Sequence, residues 1–240
     1  MLFTPSTKSL RPEGIVENGL HAVSHLPGWL GWVAYRKLKR RIGIRTMNDF
    51  NKVVETLGPG DICCDLGANI GDITRILAAT GATVHAFEPD PETFAKLQKN
   101  LEGFANVHCH NQAVGHENST VTLLRTASYS DETLRASASK ATAVVPRKNA
   151  QGFVESGTVE MIDFSEFLRG LDKPAALVKV DIEGAEWTLL EKVLTAASDR
   201  FKAMFVETHE RFDLSILPYA KSKQAQFRTM DAPYINLYWG

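Results

Sequence analysis

The sequence has few cysteines, almost no net charge and no long apolar run. Its three cysteines, Cys63, Cys64 and Cys109, are odd in number, and two are adjacent, where they cannot easily form a disulfide. They indicate a reducing compartment, so we expect a cytoplasmic protein. The 27 basic and 28 acidic residues give a net charge of -1, which argues against nucleic acid as the principal partner. No apolar stretch approaches the roughly 20 residues that span a bilayer.

Acidic residues are absent from one segment, residues 18–48. An aromatic run, 29–35, is followed there by the basic residues Arg36, Lys37, Lys39, Arg40, Arg41 and Arg45. We interpret residues 1–48 as a helical, basic extension whose aromatic side chains pack on the core. The alternative is that residues 36–45 make a weak contact with an anionic membrane, a sugar phosphate or an acidic carrier.

Residues 49–240 alternate short apolar runs with helical patterns, which is typical of βα units that build a buried parallel sheet. We predict five parallel strands, at residues 62–66, 83–88, 107–111, 177–182 and 203–208. Residues 226–230 and 234–239 predict an antiparallel C-terminal hairpin, which would complete a seven-stranded, mostly parallel sheet with helices on both faces. A long insert, residues 115–157, holds extended candidates at 121–126 and 142–145. Inserts of this length are usually lids, binding loops or disordered.

The loop after the first predicted strand lacks the G-x-G spacing of a pyrophosphate-binding fingerprint. It reads Asp65-Leu66-Gly67-Ala68-Asn69-Ile70-Gly71. Gly67 and Gly71 let the backbone approach a ligand closely, and Asn69 tolerates the unusual dihedral angles of such a loop. Because Asp65 would repel a phosphate, we expect a ligand with a positively charged group.

The second predicted strand ends in Glu88, followed by Pro89 and by Asp90, which can cap a helix. An ionised carboxylate at this position can accept hydrogen bonds from both hydroxyls of a ribose. Gln112 and Ala113, after the third strand, are placed to meet the adenine edge. S-adenosylmethionine is a nucleoside that carries a cationic sulfonium, so it is the cofactor that we expect. The predicted cofactor-binding residues are Asp65, Gly67, Ala68, Asn69, Gly71, Glu88, Pro89, Gln112, Ala113 and Asp181.

The fourth and fifth predicted strands end in further polar residues. Asp181 would point over the cofactor sulfur, Glu186 is expected to be structural, and His209 follows the fifth strand. A neutral hydroxyl that attacks a sulfonium methyl must lose its proton, and we hypothesise that His209 or Asp181 takes it.

Two groups of residues in the sequence could in principle ligate a metal ion. Asp181, Glu183, Glu207 and His209 could supply ligands of the kind that hold Mg²⁺ or Mn²⁺, but they form no dense ligand motif. His85, His108 and His110 lie near Cys109, yet they lack the paired cysteines typical of a zinc site. We therefore expect no metal.

These motifs resemble the FkbM family of methyltransferases over roughly residues 60–210. The matching segments are residues 65–71, 88–91, 111–115, 178–186 and 206–209. The resemblance implies a class I, Rossmann-like fold that transfers a methyl group, usually to a hydroxyl of a sugar, polyketide or other natural product. We expect O-methylation of a small-molecule or glycan acceptor. A nicotinamide-dependent oxidoreductase, which lacks support from the glycine spacing, and a non-catalytic module that binds S-adenosylmethionine are the alternatives.

Overall fold

The computed structural model describes residues 3–126, 153–210, 214–230 and 232–239. The strands are β1 (Ile62–Leu66), β2 (Thr83–Phe87), β3 (Val107–His110), β4 (Ala113–Gly115), β5 (Ser119–Thr126), β6 (Phe153–Asp163), β7 (Ala175–Val180), β8 (Phe201–Val206) and β9 (Tyr234–Asn236). The α-helices are α1 (Gly14–Ser24), α2 (Gly28–Glu55), α3 (Asp72–Ala78), α4 (Pro91–Asn100), α5 (Phe164–Gly170), α6 (Glu186–Ala196) and α7 (Leu217–Phe227).

The main sheet has six parallel strands in the order β3-β2-β1-β7-β8-β9. The expected α/β fold is confirmed, and each of the five predicted parallel strands is present within two residues of its predicted bounds. Strands are added outward from β1 to β3 on one side and from β7 to β9 on the other. The order therefore reverses between β1 and β7, and in open α/β sheets ligands bind at the carboxyl ends of the strands at this point.

Both faces of the main sheet are covered, which explains why its strands are almost wholly apolar. Successive residues of a strand point to opposite faces. Cys63, Leu177 and Phe205 pack on the face covered by α2 and α3. The next residues along each strand face α5, α6 and α7; they are Cys64, Val178 and Met204.

A second sheet, in the order β4-β6-β5, adjoins the first. Within the insert, β5 matches the predicted strand at 121–126, whereas the candidate at 142–145 lies outside the described residues. The long strand β6 was not predicted, because glycine and charged residues interrupt its apolar alternation. Arg125 on β5 ties this sheet to the start of α4, since its Nε donates to Asp90 Oδ2 at 2.7 Å and its Nη1 to Glu92 Oε1 at 2.8 Å.

The C-terminal region differs from the predicted antiparallel hairpin. Gln226 and Phe227 end helix α7, and β9 pairs with β8 in parallel, so the main sheet has six strands instead of seven. Ala220, Gln224 and Phe227 are buried at spacings of four and three residues, which is the period of a helix. The strand predicted at residues 226–230 is therefore wrong, because these residues begin within the last turn of a helix.

Helix α2 joins the N-terminal segment to the core. It runs without a break through residue 48, where we had drawn the boundary between the extension and the larger domain. Ile42, Phe50 and Val53 are buried against the main sheet. The extension is helical as expected. Its aromatic side chains do not all pack on the core, because Trp29 at the start of α2 is 72% exposed. None of the helices in the described part of the chain is long and apolar enough to cross a membrane.

A buried ion pair connects the two central strands. Lys179 on β7 lies beside Asp65 on β1 in the strand register, and its Nζ is 3.1 Å from Asp65 Oδ1. Nζ also donates to the Gly67 carbonyl at 2.7 Å, and the Thr74 hydroxyl donates to Asp65 Oδ2 at 2.7 Å. Burial opposes the charged ammonium, but the Asp65 and Asp181 carboxylates outweigh it and hold the pKa of Lys179 above its ordinary value.

Replacing Lys179 by Met should lower the free energy of unfolding by about 3–5 kcal/mol, because it leaves the Asp65 carboxylate buried without its cation. Urea denaturation at pH 7.5 measures the effect. Lys173→Met, at an exposed position, is the matched control and should change stability by less than about 0.5 kcal/mol. Adding Asp65→Asn to Lys179→Met should recover part of the loss. Equal stability of the two lysine variants would contradict the role given to this pair.

Candidate functional site

A cavity of about 660 Å³, including its open mouth, lies at the carboxyl ends of the central strands. It is at the topological switch point where the strand order reverses. Most of the predicted cofactor-binding residues line it: Gly67, Asn69, Glu88, Pro89, Gln112, Ala113 and Asp181. The fold thus brings together residues that are more than 100 positions apart in the chain.

The loop after β1 passes close to the backbone that follows β7. The N–H groups of Gly67 and Ala68 donate to the Phe87 carbonyl at 3.0 and 2.8 Å, which folds the loop over the end of β2. Gly67 has φ 75°, and a Cβ atom there would lie 1.8 Å from the Asp181 carbonyl oxygen. Only glycine fits this crossing. Asn69 also adopts a left-handed conformation, with φ 52°.

Three of the predicted cofactor-binding residues lie beneath the cavity and do not line it. Asp65 is fully buried and faces Lys179, so the cation that its charge requires belongs to the protein itself. Ala68 packs in the cluster with Leu97, and a Cβ at Gly71 would lie 2.9 Å from Leu97 Cδ1. These three residues therefore shape the loop. Sequence reasoning missed Lys179, although one lysine within an otherwise apolar strand was the signal.

Glu88 forms a buried carboxylate in the cavity wall. Its Oε2 accepts the Asn69 N–H and its Oε1 accepts the Asp90 N–H, each at 2.9 Å. Burial raises the pKa of Glu88 to about 7 and outweighs the two backbone donors and Lys179, which act to lower it. Asp90 caps α4 through the Glu92 and Thr93 N–H groups, as predicted.

A cluster of carboxylates surrounds His209 at the ends of β7 and β8. Nδ1 of His209 is 2.6 Å from Glu186 Oε1, and its Nε2 faces Asp181 Oδ1 at 3.7 Å, Glu183 Oε2 at 3.6 Å and Glu207 Oε1 at 3.7 Å. Burial lowers the pKa of His209, but Glu186, Glu183 and Asp181 together raise it above its usual value. Glu186, which we expected to be only structural, orients the imidazole.

Asp181 and His209 differ in their access to the cavity. The Asp181 side chain is 23% exposed and lines the cavity, whereas that of His209 is 1% exposed and lies behind it. The ligand atoms of Asp181, Glu207 and His209 lie within 4.8 Å of one another, and in the described part of the chain no other set of three potential metal-ligand residues comes this close together. The rings of His85 and His108 stack on neighbouring strands, 5.0 Å apart.

A second cavity, of about 1250 Å³ including its mouth, opens between α2 and the residues after β8. Its walls include Trp32, Arg36, Lys37 and Arg40 from α2, together with Glu207. Lys39 anchors this helix, because its Nζ donates to the Thr208 carbonyl at 2.6 Å and lies 3.1 Å from Glu210 Oε2. Glu207 belongs to both this cavity and the cluster around His209.

The first cavity fits a nucleoside that carries a positive charge. Glu88 offers carboxylate oxygens to hydroxyl groups, and Asp181 and Glu183 add negative charge to the wall. The Asn69 Oδ1 atom is buried and accepts no hydrogen bond from the described part of the chain.

Comparison with known proteins gives a consistent family. A model described as "Methyltransferase FkbM domain" matches residues 65–227. The protein "31-O-demethyl-FK506 methyltransferase FkbM" of Streptomyces tacrolimicus is 52% identical over 46 residues, 18% of each chain. "Ribosomal RNA small subunit methyltransferase A" of Moorella thermoacetica is 43% identical over 51 residues, 21% of this chain and 18% of the relative. Both matches thus span less than a fifth of the curated relative's length.

Among solved structures, a protein of Streptococcus mutans in complex with S-adenosylhomocysteine has 12% identity and a TM-score of 0.44. The alignment covers 77% of this chain and 84% of that one.

Substituting Gly67 by Ala should destabilise the protein strongly, because the new methyl group collides with the Asp181 carbonyl. Gly103→Ala is the matched control, since Gly103 also has a positive φ, 98°, but nothing lies within 4 Å of its Cβ position. Strain alone costs about 1–2 kcal/mol at either site, and the collision should add roughly 1–3 kcal/mol at Gly67. The free energies of unfolding in urea give the comparison, and equal losses would show that the crossing at Gly67 is not tight.

Proposed function

The chain belongs to the FkbM family of methyltransferases, and on that premise we propose that it methylates a hydroxyl oxygen of a small-molecule or glycan acceptor. S-adenosylmethionine is the methyl donor and supplies an electrophilic methyl group on a sulfonium. The observation that carries the proposal is that Asp181 lines one cavity and Glu207 lines the other, while their carboxylates and the His209 imidazole lie within 4.8 Å of one another. A donor on one side and an acceptor on the other would face each other across this cluster.

The donor occupies the cavity that Gly67, Glu88 and Asp181 line. Glu88 accepts hydrogen bonds from the ribose hydroxyls, and Gln112 and Ala113 contact the adenine. Asp181 lies beside the sulfonium, where its negative charge is favourable. The Asp65 carboxylate acts indirectly, because its pairing with Lys179 fixes the Gly67 carbonyl and so the course of the loop.

The acceptor enters the cavity beside α2. Arg36, Lys37 and Arg40 supply positive charge there. Trp32 adds an aromatic wall, with the Arg36 guanidinium 5.6 Å from its ring centroid. An acceptor with a phosphate or carboxylate group near its hydroxyl fits this lining. The same residues would give the segment 36–45 a weak attraction to an anionic carrier or membrane surface.

The acceptor hydroxyl must lose its proton as the new bond to carbon forms. Asp181 is placed to accept that proton, because its carboxylate reaches the surface of the donor cavity. His209 is a positioning residue, since it is buried behind Asp181 and does not reach the cavity. The general acid–base contribution of such a group is about 10²–10⁴-fold in rate.

RNA fits this surface less well than a small acceptor does. The net charge of the chain is -1, and the basic residues we assign to binding are gathered at one cavity instead of along a broad face. The name of the Streptomyces tacrolimicus relative specifies an oxygen acceptor. That of the Moorella thermoacetica relative specifies ribosomal RNA. The acceptor screen must therefore include RNA.

Transfer of labelled methyl from S-adenosylmethionine should occur to hydroxylated metabolites or glycans, with anionic members preferred, and not to RNA. Mass spectrometry and NMR of the product should identify a methyl ether. Asp181→Asn should lower kcat by about 10²–10⁴-fold, whereas Asp199→Asn, at an exposed site in the turn before the amino-terminal end of β8, should leave it unchanged. Labelled RNA or an N-methyl product would contradict the proposal. Binding of S-adenosylhomocysteine with no transfer would indicate a non-catalytic module.

The affinity for S-adenosylhomocysteine should fall as the pH decreases through about 7, because Glu88 must be ionised to accept both ribose hydroxyls. With a pKa of about 7, the ionised fraction drops roughly tenfold between pH 8 and pH 6, and the dissociation constant should rise by the same factor. Isothermal titration calorimetry at several pH values gives the profile. Glu88→Gln should bind more weakly and lose the pH dependence, whereas the exposed control Glu102→Gln should keep it. A Glu88→Gln profile equal to that of the wild type would remove Glu88 from ribose recognition.

A further inference from the structure

We propose that Asp181, Glu207 and His209 bind one divalent metal ion, of which Mn²⁺ is the best fit, at the boundary between the two cavities. The inference rests on the proposed function in one respect, because the ion would hold the acceptor oxygen opposite the methyl donor. Binding of the ion itself depends only on the three ligands.

The fold brings the ligands together although the sequence contains no metal motif. Strands β7 and β8 are neighbours and parallel, with Val180 beside Val206 in the register. Asp181 and Glu207 are the next residues along each chain, so both leave the sheet at the same edge. His209 follows two residues later and turns its Nε2 back between them. Glu207 and His209 follow Asp181 by 26 and 28 positions in the chain. No short ligand motif therefore marks the site, and from spacing alone we expect no metal.

The distances suit one ion. Nε2 of His209 lies 3.7 Å from Asp181 Oδ1 and 3.7 Å from Glu207 Oε1, and all three ligand atoms lie within 4.8 Å of one another. Metal–ligand bonds of about 2.0–2.2 Å place two ligands of one ion roughly 3–4 Å apart. Side-chain shifts of less than about 1 Å therefore complete the site. Glu183 Oε2, 3.6 Å from the same nitrogen, is near enough to join as a further ligand.

Glu186 holds His209 in the orientation that a metal ligand needs. Its Oε1 is 2.6 Å from Nδ1 and also accepts the Gly184 N–H at 2.9 Å, and the residue is fully buried. A metal-bound histidine ordinarily donates its second ring N–H to a carboxylate in this way, which fixes the ring and leaves the other nitrogen for the ion. In the neutral ring with its proton on Nδ1, Nε2 is the nitrogen that can ligate an ion.

The types of ligand atom determine which ion fits the site, and the two neighbouring cavities determine which molecules can reach that ion. Carboxylates are the ligands of Mg²⁺, Ca²⁺ and Mn²⁺, and of these three Mn²⁺ is the transition-metal ion, so it accepts the additional imidazole nitrogen most readily. Asp181 lines the donor cavity and Glu207 lines the second cavity, so the ion has cavity space on both sides for oxygen ligands from water or the acceptor. Asp181 Oδ1 is the buried oxygen that faces His209, and ligation through it leaves Oδ2 to take the acceptor proton.

Electron paramagnetic resonance of Mn²⁺ tests the site in the full chain, after treatment with a chelator and its removal. As Mn²⁺ is added, the signal of free Mn²⁺ should stay near zero until one equivalent per chain has been added. Mg²⁺ should displace the bound Mn²⁺ only at a higher concentration. Glu207→Gln and His209→Asn should each weaken Mn²⁺ binding at least tenfold. Glu55→Gln, the same chemical change at an exposed position on α2, should bind like the wild type.

A thermal shift with S-adenosylhomocysteine, measured on the same samples, separates this inference from the proposed function. Glu207→Gln should keep the shift, which shows that the variant is folded and that the donor cavity is intact. A wild-type chain that gives the shift but binds no Mn²⁺ would overturn the metal site and leave the methyltransferase proposal standing. Equal Mn²⁺ affinity of Glu207→Gln and Glu55→Gln would overturn it as well.

Discussion

The ammonium of Lys179 is buried at the centre of the sheet, and the donor cavity is built around the way its charge is satisfied. Asp65 pairs with it across β1 and β7, and the Gly67 carbonyl accepts a hydrogen bond from it. This single side chain therefore links the two strands at which the sheet order reverses and also holds the loop that covers them. Asp181, 3.8 Å away through Oδ2, lies within the same electrostatic environment. The acid that begins the motif after β1 acts through this internal cation and does not touch the ligand cavity.

The sequence predicted the parts of the fold that depend on local pattern. The central strands are recognisable because a strand buried on both faces is mostly apolar, and Asp90 is recognisable as a helix cap because the next residue is Pro91. Strand β6 and the ending of α7 were missed, because glycine and charged residues obscure one pattern and polar helix formers obscure the other. The pairing of Lys179 with Asp65 was missed. Asp181, Glu183, Glu207 and His209 were named as candidate ligands, but their convergence on one imidazole was not predicted. Both depend on which strands become neighbours, and that is a property of the tertiary fold.

The two cavities give the N-terminal segment a place in the site. Helix α2 packs on the main sheet through Ile42, Phe50 and Val53, and the preceding turns of the same helix form a wall of the second cavity. Lys39 fixes this wall to the residues that follow β8, through the Thr208 carbonyl and Glu210. The basic and aromatic residues of this segment therefore have two roles. Lys39 attaches the helix to the residues after β8, whereas Trp32, Arg36, Lys37 and Arg40 line the second cavity.

The contact between Arg125 and Asp90 connects strand β5 with the wall of the first cavity. Arg125 on β5 holds Asp90 through its guanidinium, and the N–H of Asp90 is bonded in turn to Glu88 in the donor cavity. Two successive hydrogen bonds therefore connect strand β5 with the Glu88 carboxylate in the wall of the first cavity. The smaller sheet is fastened to this wall at the residue that also caps the start of helix α4.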